Sequence, residues 1–360
     1  MSEYWNNRTK NISPYIPGEQ PKDRQFIKLN TNENPYPPSP EVIKAVQRAA
    51  DDNLRLYPDP ECTEFREAAA ARYGVDPRQV FAGNGSDEIL AFAFGAFFES
   101  GRAPQILFPD ITYSFYPVYA CLWDIPYSLI PLKDDFTVNI KDFLKPCGGV
   151  VISNPNAPTG IALPLDDILS LAEFLEKQKK VLIVDEAYIA FGAQSAVEQI
   201  NKYPNLLTVH TLSKSASLAG LRAGFAIGNE KLIEGLRRVR DSFNSYTVDR
   251  LALAGAAAAV ADSRYYDEIN SKVISVREHV TEKLRILDFT VLPSKANFIF
   301  IKHSNMGGGV LFSALREKGI LVRHFNKERI ADFLRVSIGT YEQMDNFIKI
   351  CKDITERRKG

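Results

Sequence analysis

The chain is poor in the residues that metal sites and disulfide frameworks need. Four cysteines in 360 residues, Cys62, Cys121, Cys147 and Cys351, form no C-x-x-C pair. They read as separate reduced thiols, the ordinary state in a cytosolic protein. Four histidines, His210, His279, His303 and His324, share no ligand spacing, so no catalytic zinc is expected. An excess of one charge is also lacking, with Lys plus Arg and Asp plus Glu at 44 each. Without a basic excess, neither nucleic acid nor an anionic membrane surface is an expected partner. Long apolar runs are missing too. The longest, Leu251–Ala261, is Ala-rich and too short to span a bilayer, and it reads as a helix pressed on a neighbour. The first ten residues, MSEYWNNRTK, have no apolar core of a secretory signal. The expected location is the cytoplasm.

What is present is an ordinary globular composition, long enough for two domains. Residues 1–40 are rich in proline, including the run P-Y-P-P-S-P at Pro35–Pro40. Such a segment makes neither one helix nor a central strand, and it reads as an arm laid over the rest. From 41 to 262, helical patterns alternate with short apolar runs such as Val80–Ala82, Gln105–Phe108, Gly149–Ser153, Val181–Val184 and Leu206–His210. That alternation predicts an α/β fold, a mainly parallel sheet covered by helices on both faces. From 263 to 360 a long amphipathic helix precedes strands and shorter helices, predicting a smaller α+β domain that the arm joins. The triple glycine Gly307–Gly309 reads as a plain loop before a helix.

In parallel α/β sheets, ligands sit outside the carboxyl ends of the strands, so the residues after each strand are the candidates. Thr211–Arg222, T-L-S-K-S-A-S-L-A-G-L-R, follows one of them. Lys214 stands among small residues that let a bulky partner approach its amine. Ser213 and Arg222 supply the hydroxyl and the fixed cation that clamp a phosphate. A lysine amine beside a phosphate clamp points to a phosphorylated aldehyde held as a Schiff base, pyridoxal 5'-phosphate. Other strand ends supply matching parts. Asp185 can pair with the pyridine nitrogen, and Tyr188 and Asn156 can face the ring's phenolic oxygen. The backbone N–H groups of Ser86 and Asp87 open a helix and suit a phosphate. Tyr113 offers a face for ring stacking.

The same residues carry a family resemblance. L-N-T-N-E-N-P-Y at Leu29–Tyr36, Y-P-D-P at Tyr57–Pro60, G-N-G-S-D-E at Gly83–Glu88, N-P-N-A-P-T-G at Asn154–Gly160, D-E-A-Y at Asp185–Tyr188, T-L-S-K at Thr211–Lys214, A-G-L-R-A-G at Ala219–Gly224 and L-R-V-S-I-G-T at Leu334–Thr340 run over nearly the whole chain. In this order they resemble the fold type I pyridoxal-phosphate aminotransferases, and within them the histidinol-phosphate aminotransferases. The resemblance implies an aspartate aminotransferase-like large domain with a seven-stranded sheet. It implies a homodimer in which Tyr57 reaches the partner's cofactor phosphate. Lys214, Asp185 and Tyr188 are the implied catalytic set. Arg335 is implied to grip the α-carboxylate of glutamate, and Arg323 and Tyr15 the distal phosphate of the substrate.

The implied reaction moves the amino group of L-histidinol phosphate to 2-oxoglutarate, giving imidazole acetol phosphate and glutamate, a step of histidine biosynthesis. The substrates are then small molecules, a phosphorylated amino alcohol or amino acid and a dicarboxylate. An aromatic amino acid aminotransferase and a threonine-phosphate decarboxylase share many of these motifs. A cofactor-sensing regulator would need a DNA-binding domain in front, for which the arm is too short. Two positions depart from the family pattern. Ala157 stands where the family often has a second asparagine, leaving the ring contact to Asn156. Ala216 stands where an aromatic often follows the lysine.

Overall fold

A computed structural model describes residues 2–16, 18–21 and 25–356. A few residues of the arm and the last four of the chain lie outside those ranges.

Seven strands form the large sheet: β2 (Val80–Gly83), β3 (Ile106–Pro109), β4 (Tyr127–Ile130), β5 (Gly149–Ser153), β6 (Leu182–Asp185), β7 (Leu206–Thr211) and β8 (Gly224–Gly228). Their order is β2-β8-β7-β6-β5-β3-β4. All neighbouring pairs are parallel except those of β8, which runs antiparallel to both β2 and β7. Every residue of β2, β3, β5, β6, β7 and β8 is buried. Burial on both faces is why these segments read as continuous apolar runs rather than alternating ones.

The reversed direction of β8 positions the site. Its start, not its end, lies at the carboxyl edge of its neighbours, with Gly224 opposite both Thr211 and Gly83. Arg222, two residues earlier, is thereby delivered to the same edge as the residues that follow β2, β6 and β7.

Local signals set the helix ends. Ser39 caps the helix Pro40–Ala49 by accepting the Val42 N–H, with proline in the first turn. Gly74, at φ +67°, ends the helix Thr63–Tyr73. The helix Glu230–Phe243, capped by Asn229, is not among the elements expected from the sequence. The alanine-rich run forms the helix Arg250–Ala261, with one face buried. Among the described residues no helix is long and apolar enough to cross a membrane.

Beyond the helix Ser263–Ile286 the chain forms a second, antiparallel sheet, β12-β13-β10-β9. Its strands are β9 (Phe289–Val291), β10 (Phe298–His303), β12 (Arg323–His324) and β13 (Leu334–Ser337). The arm strand β1 (Ile27–Lys28) pairs in parallel with β11 (Ile320–Leu321). One apolar cluster joins Leu29, Tyr188, Phe298 and Val336, so this part of the core is continuous with the wall of the cavity described below. Within the triple glycine, Gly308 has a packing cause. A Cβ on Gly308 would lie 2.5 Å from the Ala331 carbonyl oxygen, so only glycine lets those backbones meet.

Candidate active site

A cavity of about 200 Å³ opens at the carboxyl edge of the large sheet, between it, the arm and the β12–β13 region. Its wall includes Ser86, Asp87, Tyr113, Asp185, Tyr188, Ser213, Lys214 and Arg222, and on the opposite side Tyr15, Arg323 and Arg335.

Lys214 follows β7 through Ser213. Its amine donates to the Thr31 carbonyl at 3.0 Å. Burial, together with the cations Arg335 and Arg222, brings its pKa down to about 8. A lysine in that state is a nucleophile near neutral pH.

Arg222 holds the other end. It sits at φ +51°, and its guanidinium donates to Ser213 Oγ at 3.2 Å and Asp87 Oδ2 at 3.1 Å. The helix Gly85–Phe97 begins here, so the N–H groups of Ser86 and Asp87 lie in its first turn and lack intrahelical acceptors. Gly85 sits at φ +78°, a backbone conformation that favours glycine, and a Cβ there would stand 2.8 Å from Arg222 Nη2 and displace it. A guanidinium, a hydroxyl and a helix start converge on one anion-sized corner.

Asp185 ends β6 and is buried. It accepts the Tyr116 hydroxyl at 2.9 Å and the Ala187 N–H at 3.2 Å. Burial without a facing cation still raises its carboxyl to about 6. A protonated ring nitrogen would restore the charge balance, which is the observation that fits pyridoxal phosphate to this corner. Tyr113 reaches the cavity from the turn before the helix Tyr116–Leu122, its hydroxyl donating to Asp87 Oδ1 at 2.7 Å.

One expectation is corrected. Asn156 does not face the cavity. Its Nδ2 donates to the Ile111 carbonyl at 2.9 Å and to Thr159 Oγ1 at 3.1 Å, and its Oδ1 accepts from Thr112 at 3.0 Å. The amide is spent bracing its own turn, and the methyl of Ala157 lines the cavity instead. Tyr57 also lies away from this cavity. It is 78% exposed and stacks on Tyr246 with ring centroids 4.5 Å apart.

The far wall carries the substrate candidates. Arg335 donates to the Asn30 carbonyl at 3.0 Å, while its Nε is buried with no partner among the described residues. Arg323 donates to the Ile16 carbonyl at 3.1 Å. Tyr15 stacks on Phe115 at 4.4 Å. A side chamber continues outward past Tyr15, Arg323 and Arg335 to Ile111, Ser114, Phe325, Lys327 and Ile330.

Sequence reasoning missed two contributors. Tyr116 opens the helix Tyr116–Leu122, three residues after Tyr113 in the same segment following β3, a nearness in sequence that could have flagged it. The stretch Asn30–Asn34 carried a motif but no assigned role. It supplies the carbonyls for Arg335 and Lys214, and Asn34 donates to the Lys214 carbonyl at 3.1 Å.

Residues 24–350 match the family model for aminotransferase class I and II. A histidinol-phosphate aminotransferase of Clostridium beijerinckii is 53% identical over 349 residues, 97% of this chain and 96% of the relative. One from Acetobacter pasteurianus is 52% identical over 354 residues, 98% of each chain. Among solved structures, a histidinol-phosphate aminotransferase of Sinorhizobium meliloti in complex with pyridoxal-5'-phosphate aligns with a TM-score of 0.88. It is 22% identical and 99% of each chain is covered, a likeness that speaks for the fold.

Proposed function

Because the chain belongs to the class I and II aminotransferases, and within them to the histidinol-phosphate aminotransferases, we propose that it moves the amino group of L-histidinol phosphate to 2-oxoglutarate with pyridoxal 5'-phosphate as cofactor. The observation that carries this reading is the placement of one activated lysine between two anion sites. Lys214 stands between the Arg222 corner and the Arg335–Arg323 wall. One corner suits the phosphate of the cofactor, and the other suits an anionic group of the substrate.

Ser213, Arg222 and the N–H groups of Ser86 and Asp87 would hold the cofactor phosphate. Asp185 would keep the ring nitrogen protonated, Tyr188 would serve the phenolic oxygen, and Tyr113 would cover the ring face. When bound, the cofactor supplies an electron sink for the carbanion formed at the amine-bearing carbon. Lys214 Nζ, its pKa lowered to about 8 so that a fraction is neutral near physiological pH, takes the proton from that carbon. Arg335 orients the substrate by its nearest anionic group. Arg323 accepts a phosphate in one half of the cycle and a carboxylate in the other, since its planar fork matches both. In a two-stage reaction of this kind the kinetics are ping-pong.

The chain divides in this reading into an arm (1–40), a cofactor-holding unit (41–262) and a smaller unit (263–360). It works as a cytoplasmic homodimer. Tyr57, exposed beside Tyr246, Leu54 and Leu56, reaches the partner's cofactor phosphate. A second reading, an aromatic amino acid as donor, draws on the apolar residues Ile111, Phe325 and Ile330 of the side chamber.

The deciding experiment mixes the holoenzyme with histidinol phosphate, phenylalanine, tyrosine and phosphothreonine in turn, and follows the visible absorbance. Histidinol phosphate should bleach it at the lowest concentration. Equal or better bleaching by phenylalanine would favour the second reading. Release of carbon dioxide without need for 2-oxoglutarate would overturn transamination.

A further inference from the structure

Asn32 lies in the loop after β1, 1% exposed, with φ +56°. Asparagine tolerates that left-handed conformation better than most residues. Its orientation is over-determined. The Asn32 N–H donates to Ser337 Oγ at 2.8 Å, and Asn297 Nδ2 donates to the Asn32 carbonyl at 2.9 Å. Having accepted the Asn32 N–H, the Ser337 hydroxyl donates its own proton to Asn32 Oδ1 at 2.9 Å. The oxygen of the amide therefore faces Ser337 and its NH₂ faces Tyr188, where Nδ2 donates to the hydroxyl at 3.0 Å.

This direction constrains the Tyr188 proton. A phenol oxygen that accepts from Asn32 cannot also donate to that amide nitrogen, which has no lone pair to receive a proton. Tyr188 is itself nearly buried, and its hydroxyl makes no other hydrogen bond among the described residues. It lines the cavity, which leaves its O–H free to donate there. In the turn Asn154–Gly160 the Asn156 amide is spent on Ile111 and Thr159, and Ala157, which lines the cavity, has no polar side chain.

We infer that Asn32 is a positioning residue: its N–H occupies the Tyr188 oxygen and so aims the Tyr188 O–H at the phenolic oxygen of the bound cofactor. The inference rests on the cofactor reading above. A proton donated to that oxygen stabilises its anionic form. It thereby lowers the pKa at which the lysine–cofactor link loses its proton, a transition visible in the absorbance of the resting holoenzyme.

The test is a pH titration of that absorbance, with cofactor dissociation constants measured in parallel. Asn32→Asp keeps shape and backbone preference but presents a carboxylate oxygen, which takes the Tyr188 proton for itself. It should raise the pKa by about 1–2 units, the size of one hydrogen bond to a charged oxygen, as Tyr188→Phe should. In the Tyr188→Phe background, Asn32→Asp should add nothing further. Ser337→Ala, which frees the amide to flip, should raise the pKa by less. If the parent protein shows no titrating visible band, the cofactor reading fails and the inference with it. If the parent titrates but Asn32→Asp leaves the pKa in place, the reading stands and the inference is overturned. An equal shift with and without the Tyr188 hydroxyl also overturns it, because Asn32 would then act directly rather than through Tyr188.

Discussion

The amine of Lys214 donates to the carbonyl of Thr31 at 3.0 Å across 183 residues of sequence. The arm thus touches the lysine on which the proposed chemistry turns. A backbone carbonyl can accept from the amine but carries no full charge, so it orders the lysine without holding it protonated as a carboxylate would.

That state is measurable. Only the neutral amine attacks an aldehyde, and Lys214 is brought down to about 8 by burial and by Arg335 and Arg222. The rate at which apoprotein takes up pyridoxal phosphate should climb with pH through a midpoint near 8 and level off above it, where an ordinary lysine would still be climbing. Stopped-flow absorbance reads this directly. Lys214→Ala should show neither the visible band nor turnover; a variant that keeps full turnover sinks the central assignment.

Tyr116 donates to Asp185 Oδ2 at 2.9 Å. Tyr116→Phe removes a donor to the charged form, so the carboxyl should rise above about 6. More of it is then protonated at neutral pH and unable to pair with the ring cation. Cofactor affinity should fall as pH drops below 7, and recover toward the parent value above 8. A pH series of dissociation constants checks this, and parallel curves for the two proteins would contradict it.

Arg323→Ala removes a charged fork from the far wall. A lost hydrogen-bonded ion contact of about 2–3 kcal/mol corresponds to a KM for histidinol phosphate raised roughly 30- to 150-fold. Arg323 also holds the arm through the Ile16 carbonyl, so the comparison with phenylalanine matters. A donor without an anionic tail should lose only a few-fold.

Asn156→Ala is predicted to be a stability variant. It strips partners from the Ile111 carbonyl and from the Thr112 and Thr159 hydroxyls, at a cost of about 2–4 kcal/mol. Urea unfolding of the apoprotein should show that loss, while the pKa of the holoenzyme absorbance stays near the parent value. A pKa shift as large as that of Tyr188→Phe would return Asn156 to the ring.

Tyr57→Phe leaves the stacking on Tyr246 intact and removes one hydroxyl. If that hydroxyl reaches a partner's phosphate, the cofactor should bind more weakly by roughly 10-fold or more, in line with one hydrogen bond to a charged group of about 1.5–3 kcal/mol. Sedimentation should find a dimer in both proteins, and equal cofactor affinity argues against the cross-subunit contact.

Much of the site is legible in the amino-acid sequence. Strand ends carry ligand groups in parallel sheets, and the segments ending at Ser153, Asp185 and Thr211 are recognisable as buried strands from their unbroken apolar runs. That rule points to the stretches holding Asp185 and Lys214 and, after β2, Ser86 and Asp87; their proposed roles come from side-chain chemistry and the family resemblance. The helix Glu230–Phe243 is harder to see, because its charged, exposed face breaks up the apolar signal.

Asn156 and Asn32 show what residue types and spacing leave undecided. Both are buried asparagines in recognisable motifs, and the sequence pattern favours the first as the ring contact. Chain order says which residues can approach the sheet edge, because strand periodicity and turn chemistry are local. It does not say where a side-chain amide points, because that depends on partners far away along the chain. Thr112 and the Ile111 carbonyl turn Asn156 outward, and Ser337, from the opposite end of the chain, turns Asn32 toward Tyr188. The reversed direction of β8, which delivers Arg222 to its corner, is likewise decided only when the sheet is assembled. A short strand carries no local mark of the direction in which it will pair.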